Sequence, residues 1–239
     1  MTPAIELSGV VKDYRGLRPL RINGLSLAPG DHLAILGLDA VSAEILINLI
    51  TGTTLPDRGD VHVFGRATSA IRDSDEWMAF VDRFGIVSER AVLLEALSVV
   101  QNLAIPFSLD VEPMPADLRQ RAMALAEGVG LAPAVWERPV ADLDAASRLR
   151  VRLGRALALE PSVVLLEHPT AGLPREAVVA LGRDVKAIVL ERRAASLTLT
   201  ADREFAGAVA DRTLTLEPAN GRLTAAGAGW LARLRGTQK

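Results

Sequence analysis

Pro161-Ser162-Val163-Val164-Leu165-Leu166-Glu167-His168-Pro169-Thr170-Ala171-Gly172-Leu173 opens on an apolar run over 162–166 and stops at a glutamate, a histidine and a Pro/Gly-containing turn. Apolarity without alternation marks a strand buried on both faces, as in a parallel sheet covered by helices. The residues beyond it agree, because helical periodicity over 175–193 and 203–210 alternates with strands over 196–199 and 213–216. Alternating β and α elements argue for a parallel sheet. Working back to the N-terminus, Ile5-Glu6-Leu7 and Leu25-Ser26-Leu27 read as short strands, and Pro29-Gly30-Asp31 turns into the apolar run 32–36. That run ends at Gly37, and 44–50 is an apolar helical segment stopped by Gly52. Strand, loop and helix therefore follow in the order of a phosphate-binding unit. The turn Pro56-Asp57-Arg58-Gly59-Asp60 leads into a strand over 61–65. Between about 93 and 155, prolines punctuate helical stretches at 116–129 and 145–159, which reads as a helical subdomain. An Ala219-Asn220-Gly221-Arg222 turn and a short helix over 229–235 close the chain.

Composition removes several classes of function. The 239 residues contain no cysteine, so disulfides and thiolate metal sites are excluded, and His32, His62 and His168 are too scattered to form a histidine cluster. A formal net charge of −2 gives no electrostatic footprint for nucleic acid. No window reaches the roughly 18 uninterrupted apolar residues of a membrane-spanning helix. The start MTPAIELSGVVKDY lacks the basic-then-apolar profile of a secretory signal, so a cytosolic chain is expected.

The segment 161–173 resembles the Walker B region of ATP-binding-cassette (ABC) ATPases, in which an Asp-Glu pair precedes Pro-Thr. Further landmarks of similar look follow the family's order. They are Val10-Val11-Lys12-Asp13-Tyr14, Asn48-Leu49-Ile50-Thr51-Gly52 with Pro56-Asp57-Arg58-Gly59, and Leu97-Ser98-Val99-Val100-Gln101-Asn102-Leu103. Leu143-Asp144-Ala145-Ala146-Ser147 sits at the signature motif and Thr200-Ala201-Asp202 at the family's Thr-His-Asp switch. The resemblance covers nearly the whole chain. It implies a single domain over 1–239 with an α/β, P-loop NTPase-like core, an antiparallel β subdomain and an inserted helical subdomain over about 90–155.

At the positions where the resemblance places the chemistry, the residues differ. A phosphate loop directs backbone N–H groups, a helix N-terminus and a lysine at the phosphates, while a hydroxyl holds magnesium. Here Gly37-Leu38-Asp39-Ala40-Val41-Ser42-Ala43-Glu44 puts Ala43 at the lysine, Glu44 at the hydroxyl, and Ser42 and Ala40 at loop glycines. Two readings are open. Glu44 and Asp39 could occupy the helix N-terminus themselves as a self-filled anion site, or Asp39 or Ser42 could simply cap an ordinary strand–turn–helix. Glu167 remains a possible magnesium ligand. His168 could accept a proton from water, or be a structural histidine after a buried strand. Ala201 replaces the switch histidine, and Glu89 replaces the expected glutamine. Tyr14 could stack on adenine or merely pack.

The family works in pairs, and Asp144 with Ser147 in the signature segment would face a partner's nucleotide, an unfavourable placement for a carboxylate. The other reading is that Asp144 caps the helix starting at Ala145. The resemblance thus implies an ABC transporter subunit with no catalytic set and no cofactor, in a structural or regulatory role. Its partners would be a membrane transporter subunit and a homologous ABC subunit, in a homo- or heterodimer, with no nucleic acid. It would sit in the cytoplasm, peripheral to the inner face of the membrane. The alternative is an ABC ATPase that binds or weakly hydrolyses Mg-ATP with substituted residues. Segment 87–106, with apolar Val92, Leu93, Leu94 and Leu97, would be the docking surface or ordinary core.

Overall fold

The computed structural model describes residues 2–226, and the helix expected over 229–235 lies outside the described residues. The chain opens with β1 (Ile5–Lys12), β2 (Leu20–Leu27), β3 (His32–Leu36) and helix α1 (Ala40–Ile50). There follow β4 (Arg58–Val63), the short β5 (Arg66–Ala67), α2 (Ser74–Val81) and β6 (Phe84–Val87). Helices α3 (Val99–Ala104), α4 (Ala116–Gly128) and α5 (Ala145–Leu157) intervene before β7 (Val163–Glu167). The last part runs α6 (Arg175–Glu191), β8 (Ala195–Leu199), α7 (Arg203–Val209), β9 (Arg212–Glu217) and β10 (Arg222–Ala225).

Two sheets result. The smaller is antiparallel in the order β2-β1-β4-β5, and the larger has the order β10-β9-β3-β8-β7-β6. In the larger sheet every neighbouring pair from β9 to β6 is parallel, and only the β10 edge runs antiparallel. Three of its four interior strands, β3, β8 and β7, are buried at every position, and β3 and β7 accordingly show apolar runs without alternation, while β8 alternates apolar residues with the buried Ser196 and Thr198. The sheet separates two cores. Leu33, Ile35, Leu165 and Leu197 face α1 and the antiparallel sheet, whereas Ala34, Leu36, Val164 and Leu166 face the helices α3 to α7. In α1 the fully or nearly fully buried Leu46, Ile47, Leu49 and Ile50 anchor the helix between the two sheets. Each such side chain contributes about 1.5–3 kcal/mol relative to exposure.

Several local expectations need correction. Helix α1 starts at Ala40, not at 44, because Asp39 caps it. The strand expected over 61–65 ends at Val63, since Phe64 and Gly65 turn the chain with φ of 51° and 79°. Helix α2, between the sheets' connections, and edge strand β6 were not foreseen. A short strand interrupted by Gly85 carries too few apolar positions to show a period. Gly85 is there for space: a Cβ would lie 2.4 Å from the Ala156 carbonyl oxygen of α5. Among the described residues no helix is long and apolar enough to cross a membrane.

Candidate functional site

The loop between β3 and α1 begins at Gly37, whose φ of 93° suits glycine and where a Cβ would lie 2.7 Å from the Leu216 carbonyl oxygen of β9. From there the chain enters α1 with one of its N-terminal donors, the Ser42 N–H, already engaged. Asp39 accepts from the Ser42 N–H at 2.7 Å and from the Ser42 hydroxyl at 2.6 Å, while the Asp39 carbonyl accepts from the Ala43 N–H at 2.9 Å. These bonds hold the Asp39 carboxyl below the usual carboxylate range, the Ser42 hydroxyl and then its N–H being the largest causes. Ala43 is fully buried and offers only a methyl group to the core. Because the helix begins at Ala40, Glu44 lies in the second turn. Its carboxylate leaves the helix N-terminus alone, so the anion-site role expected for it falls to Asp39 only.

Glu44 instead meets Arg90. The Arg90 guanidinium donates from Nη1 to Glu44 at 3.0 Å, and from Nη2 and Nε to one oxygen of Glu167 at 2.6 and 3.2 Å. Glu167, at the end of β7, is only 7 % exposed, so its charge is answered by this contact. Arg90 was missed in the sequence. It is 46 residues from Glu44 and 77 from Glu167, and only the fold brings the three together. A cleft of about 340 Å³ joins them, lined also by Ala40, Val41, Glu89 and His168. Glu89 is exposed at its edge.

His168 has a positive φ of 42°, and its N–H donates to the Leu199 carbonyl at 2.8 Å, which ties the end of β7 to β8. Its Nε2 is buried with no hydrogen-bond partner among the described residues. Ala201 and His168 line one wide, open cleft, in which Arg175 pairs with Asp202, the cap of α7, and with Glu204. The structure thus gathers Glu44, Glu89, Glu167 and His168 around one cleft, with Ala201 beyond His168. Tyr14 stands on the other side of the Gly37 loop. It lines a cleft of about 370 Å³ with Gly37, Asp39 and Ser42, and its ring also folds against Gly16. Burial, and then the Asp39 charge, push its hydroxyl pKa up.

Asp144 and Ser147 line none of these clefts; they stand at the start of α5, where Asp144 accepts from the Ser147 N–H at 2.7 Å and the next residue, Ala145, lines a small cavity with Glu89 and Glu167. The capping reading holds, and Asp144 is exposed. In the segment after β6, Leu93 is core at 7 % exposure, while Val92 and Leu94 are exposed at 68 % and 47 %. Close by, Phe84, Ile86, Pro106, Arg155 and Leu159 line a groove of about 310 Å³.

A parallel sheet whose interior strand passes through a glycine turn into a helix N-terminus, with a carboxylate ending a nearby strand, defines an α/β protein of the phosphate-loop type. A family model described as "ABC transporter" matches residues 20–171, and the chain belongs to that family. It is 30% identical over 205 residues to the lipoprotein-releasing system ATP-binding protein LolD of Saccharophagus degradans, covering 84% of this chain and 89% of that protein. It is 31% identical over 219 residues to the methionine import ATP-binding protein MetN of Brucella abortus, covering 90% of this chain but 58% of that longer protein. Two solved structures are similar in fold. The dimeric, ADP- and Pi-bound ATP-binding cassette MJ0796 has a TM-score of 0.73 at 21% identity, over 92% of this chain and 98% of that one. CbiO1 of Clostridium perfringens, part of the transporter complex cbiONQ, has a TM-score of 0.78 at 20% identity, over 99% of this chain and 93% of that one.

Proposed function

We propose that this ABC chain is a subunit of a membrane transport complex in which the ATP-handling positions have been replaced, leaving a structural or regulatory role. The observation that carries this reading is the start of α1. A nucleotide's phosphates need unpaired N–H groups and a lysine there, whereas the Ser42 N–H is held by Asp39 and position 43 is a buried alanine. Magnesium is no better served, because Glu44 and Glu167 are both committed to Arg90. The residues present therefore do not fit Mg-ATP, and no hydrolytic step is assigned to Glu167, His168 or Glu89. On this reading 1–239 is one domain, with about 90–155 as its inserted helical subdomain. The groove beside Val92 and Leu94 would receive a membrane subunit on the cytoplasmic side, and a homologous ABC subunit, identical or different, would complete the pair.

A second reading, an ATP-binding or weakly hydrolysing subunit, is favoured by two observations. LolD and MetN are both described as ATP-binding proteins, and the Tyr14 cleft stays open beside the Gly37 loop. Titration calorimetry of the full chain with Mg-ATP separates the two. The replaced-site reading expects no heat of binding at millimolar nucleotide and no phosphate release. Submillimolar binding abolished by changes in 37–44, with turnover lost in His168→Ala, would establish the second reading.

A further inference from the structure

We propose that Arg90 takes the mechanical place of a ligand, bridging the walls of the cleft and tying segment 88–98, and through it α3 and α5, to the strand–helix core. This rests on the reading that no nucleotide occupies the Gly37 loop. Among the residues lining this cleft, three are carboxylates, Glu44, Glu89 and Glu167, and Arg90 is the one permanent cation. The charge demand of the site is thus for a cation, and the chain supplies it. Arg90 is delivered by a tight turn in which its N–H donates to the Ser88 hydroxyl and the Ala91 N–H to the Ser88 carbonyl, both at 3.1 Å. Its fork reaches α1 through Glu44 and β7 through Glu167, a span that a lysine's single ammonium would not bridge with the same geometry.

The contact differs from an ordinary surface ion pair because the Glu167 side chain is only 8% exposed. Removing its partner would leave a buried carboxylate unanswered, which is far more costly than breaking an exposed pair. On its other side the same segment is fastened to the helices. Arg155 donates to the Val92 carbonyl at 2.7 Å, and fully buried Asn102 exchanges two 2.9 Å bonds with the Leu94 backbone. Arg148 adds a 3.3 Å pair to Glu95. Helices α3 and α5 are therefore coupled to the segment, and Arg90 is the side-chain tie from the segment to α1 and β7.

Hydrogen exchange of the full chain, with and without Mg-ATP, tests this. Arg90→Ala should speed amide exchange over 88–94 about tenfold or more, the scale of losing charged hydrogen bonds to a buried group, with β3 and β8 unchanged. Arg90→Lys should give an intermediate rate and Glu44→Gln a smaller rise. These two variants decide the matter if Arg90→Ala does not fold. Rates within twofold of wild type in every variant that folds would overturn the clamp. Slower exchange at 37–42 on adding Mg-ATP to the wild type would overturn the replaced-site reading instead, and the Arg90 variants would still decide the clamp.

Discussion

Helices α1 and α5 begin alike. Each has an aspartate cap that accepts from the N–H of a serine three residues on, Asp39 to Ser42 and Asp144 to Ser147, both at 2.7 Å. They differ in what surrounds the cap. Ser42 is 9% exposed, and its hydroxyl adds a second bond to Asp39, while at Gly37, two residues before the cap, a Cβ would lie 2.7 Å from the Leu216 carbonyl oxygen. The Asp144 cap is a single bond at an exposed corner of the helical part. The same short motif is thus part of the core-facing wall of a cleft in one place and a local terminator in the other. A cap's weight comes from what it is packed against.

The comparison breaks most visibly at Gly37, which has no counterpart before α5. Gly37→Ala should cost roughly 2–3 kcal/mol in urea unfolding, because a side chain is strained at that φ and would meet backbone. Next, Asp39→Ala should cost about 1–2 kcal/mol and Asp144→Ala about 0.5–1 kcal/mol. Equal losses would mean that the second Ser42 bond contributes nothing.

The pH dependence sharpens the same contrast. The Asp39 carboxyl titrates below the ordinary carboxylate value in the fold, so its contribution is present above that value and is lost as pH falls through the depressed one. The stability gap between wild type and Asp39→Ala should therefore hold at neutral pH and narrow below about pH 4. A gap that stays constant down to pH 2 would contradict the carboxylate's role. Smallest of all, Glu89→Gln, at an exposed position, should shift stability by less than about 0.5 kcal/mol.

The parallel core was legible because 33–36 and 163–166 are buried on both faces and read as unbroken apolar runs. The Asp144 cap was legible too, since an Asp before a helical stretch is a local signal, whereas at α1 the sequence left Asp39 and Ser42 both open as the cap. The start of α1 was not. Ala40-Val41-Ser42-Ala43 sits where a phosphate loop would, and alignment by resemblance concealed that alanine-rich residues after a cap simply continue a helix. Arg90 was invisible for a different reason. Nothing around it in the chain distinguishes it from the other arginines, and its partners arrive only when β6, β7 and α1 converge. The split of Val92, Leu93 and Leu94 between solvent and core likewise has no local signal, since all three are apolar neighbours and only Leu93 is buried.

The large sheet also works as a partition. Neighbouring residues of one strand, such as Val164 and Leu165, belong to different hydrophobic cores. Substitutions on opposite faces share few packing partners, and changes without shared partners tend to add instead of compounding. Such a molecule can drift in two compartments separately over evolutionary time. A substitution in the helical core is therefore expected to leave the packing around α1 largely as it was, and the reverse.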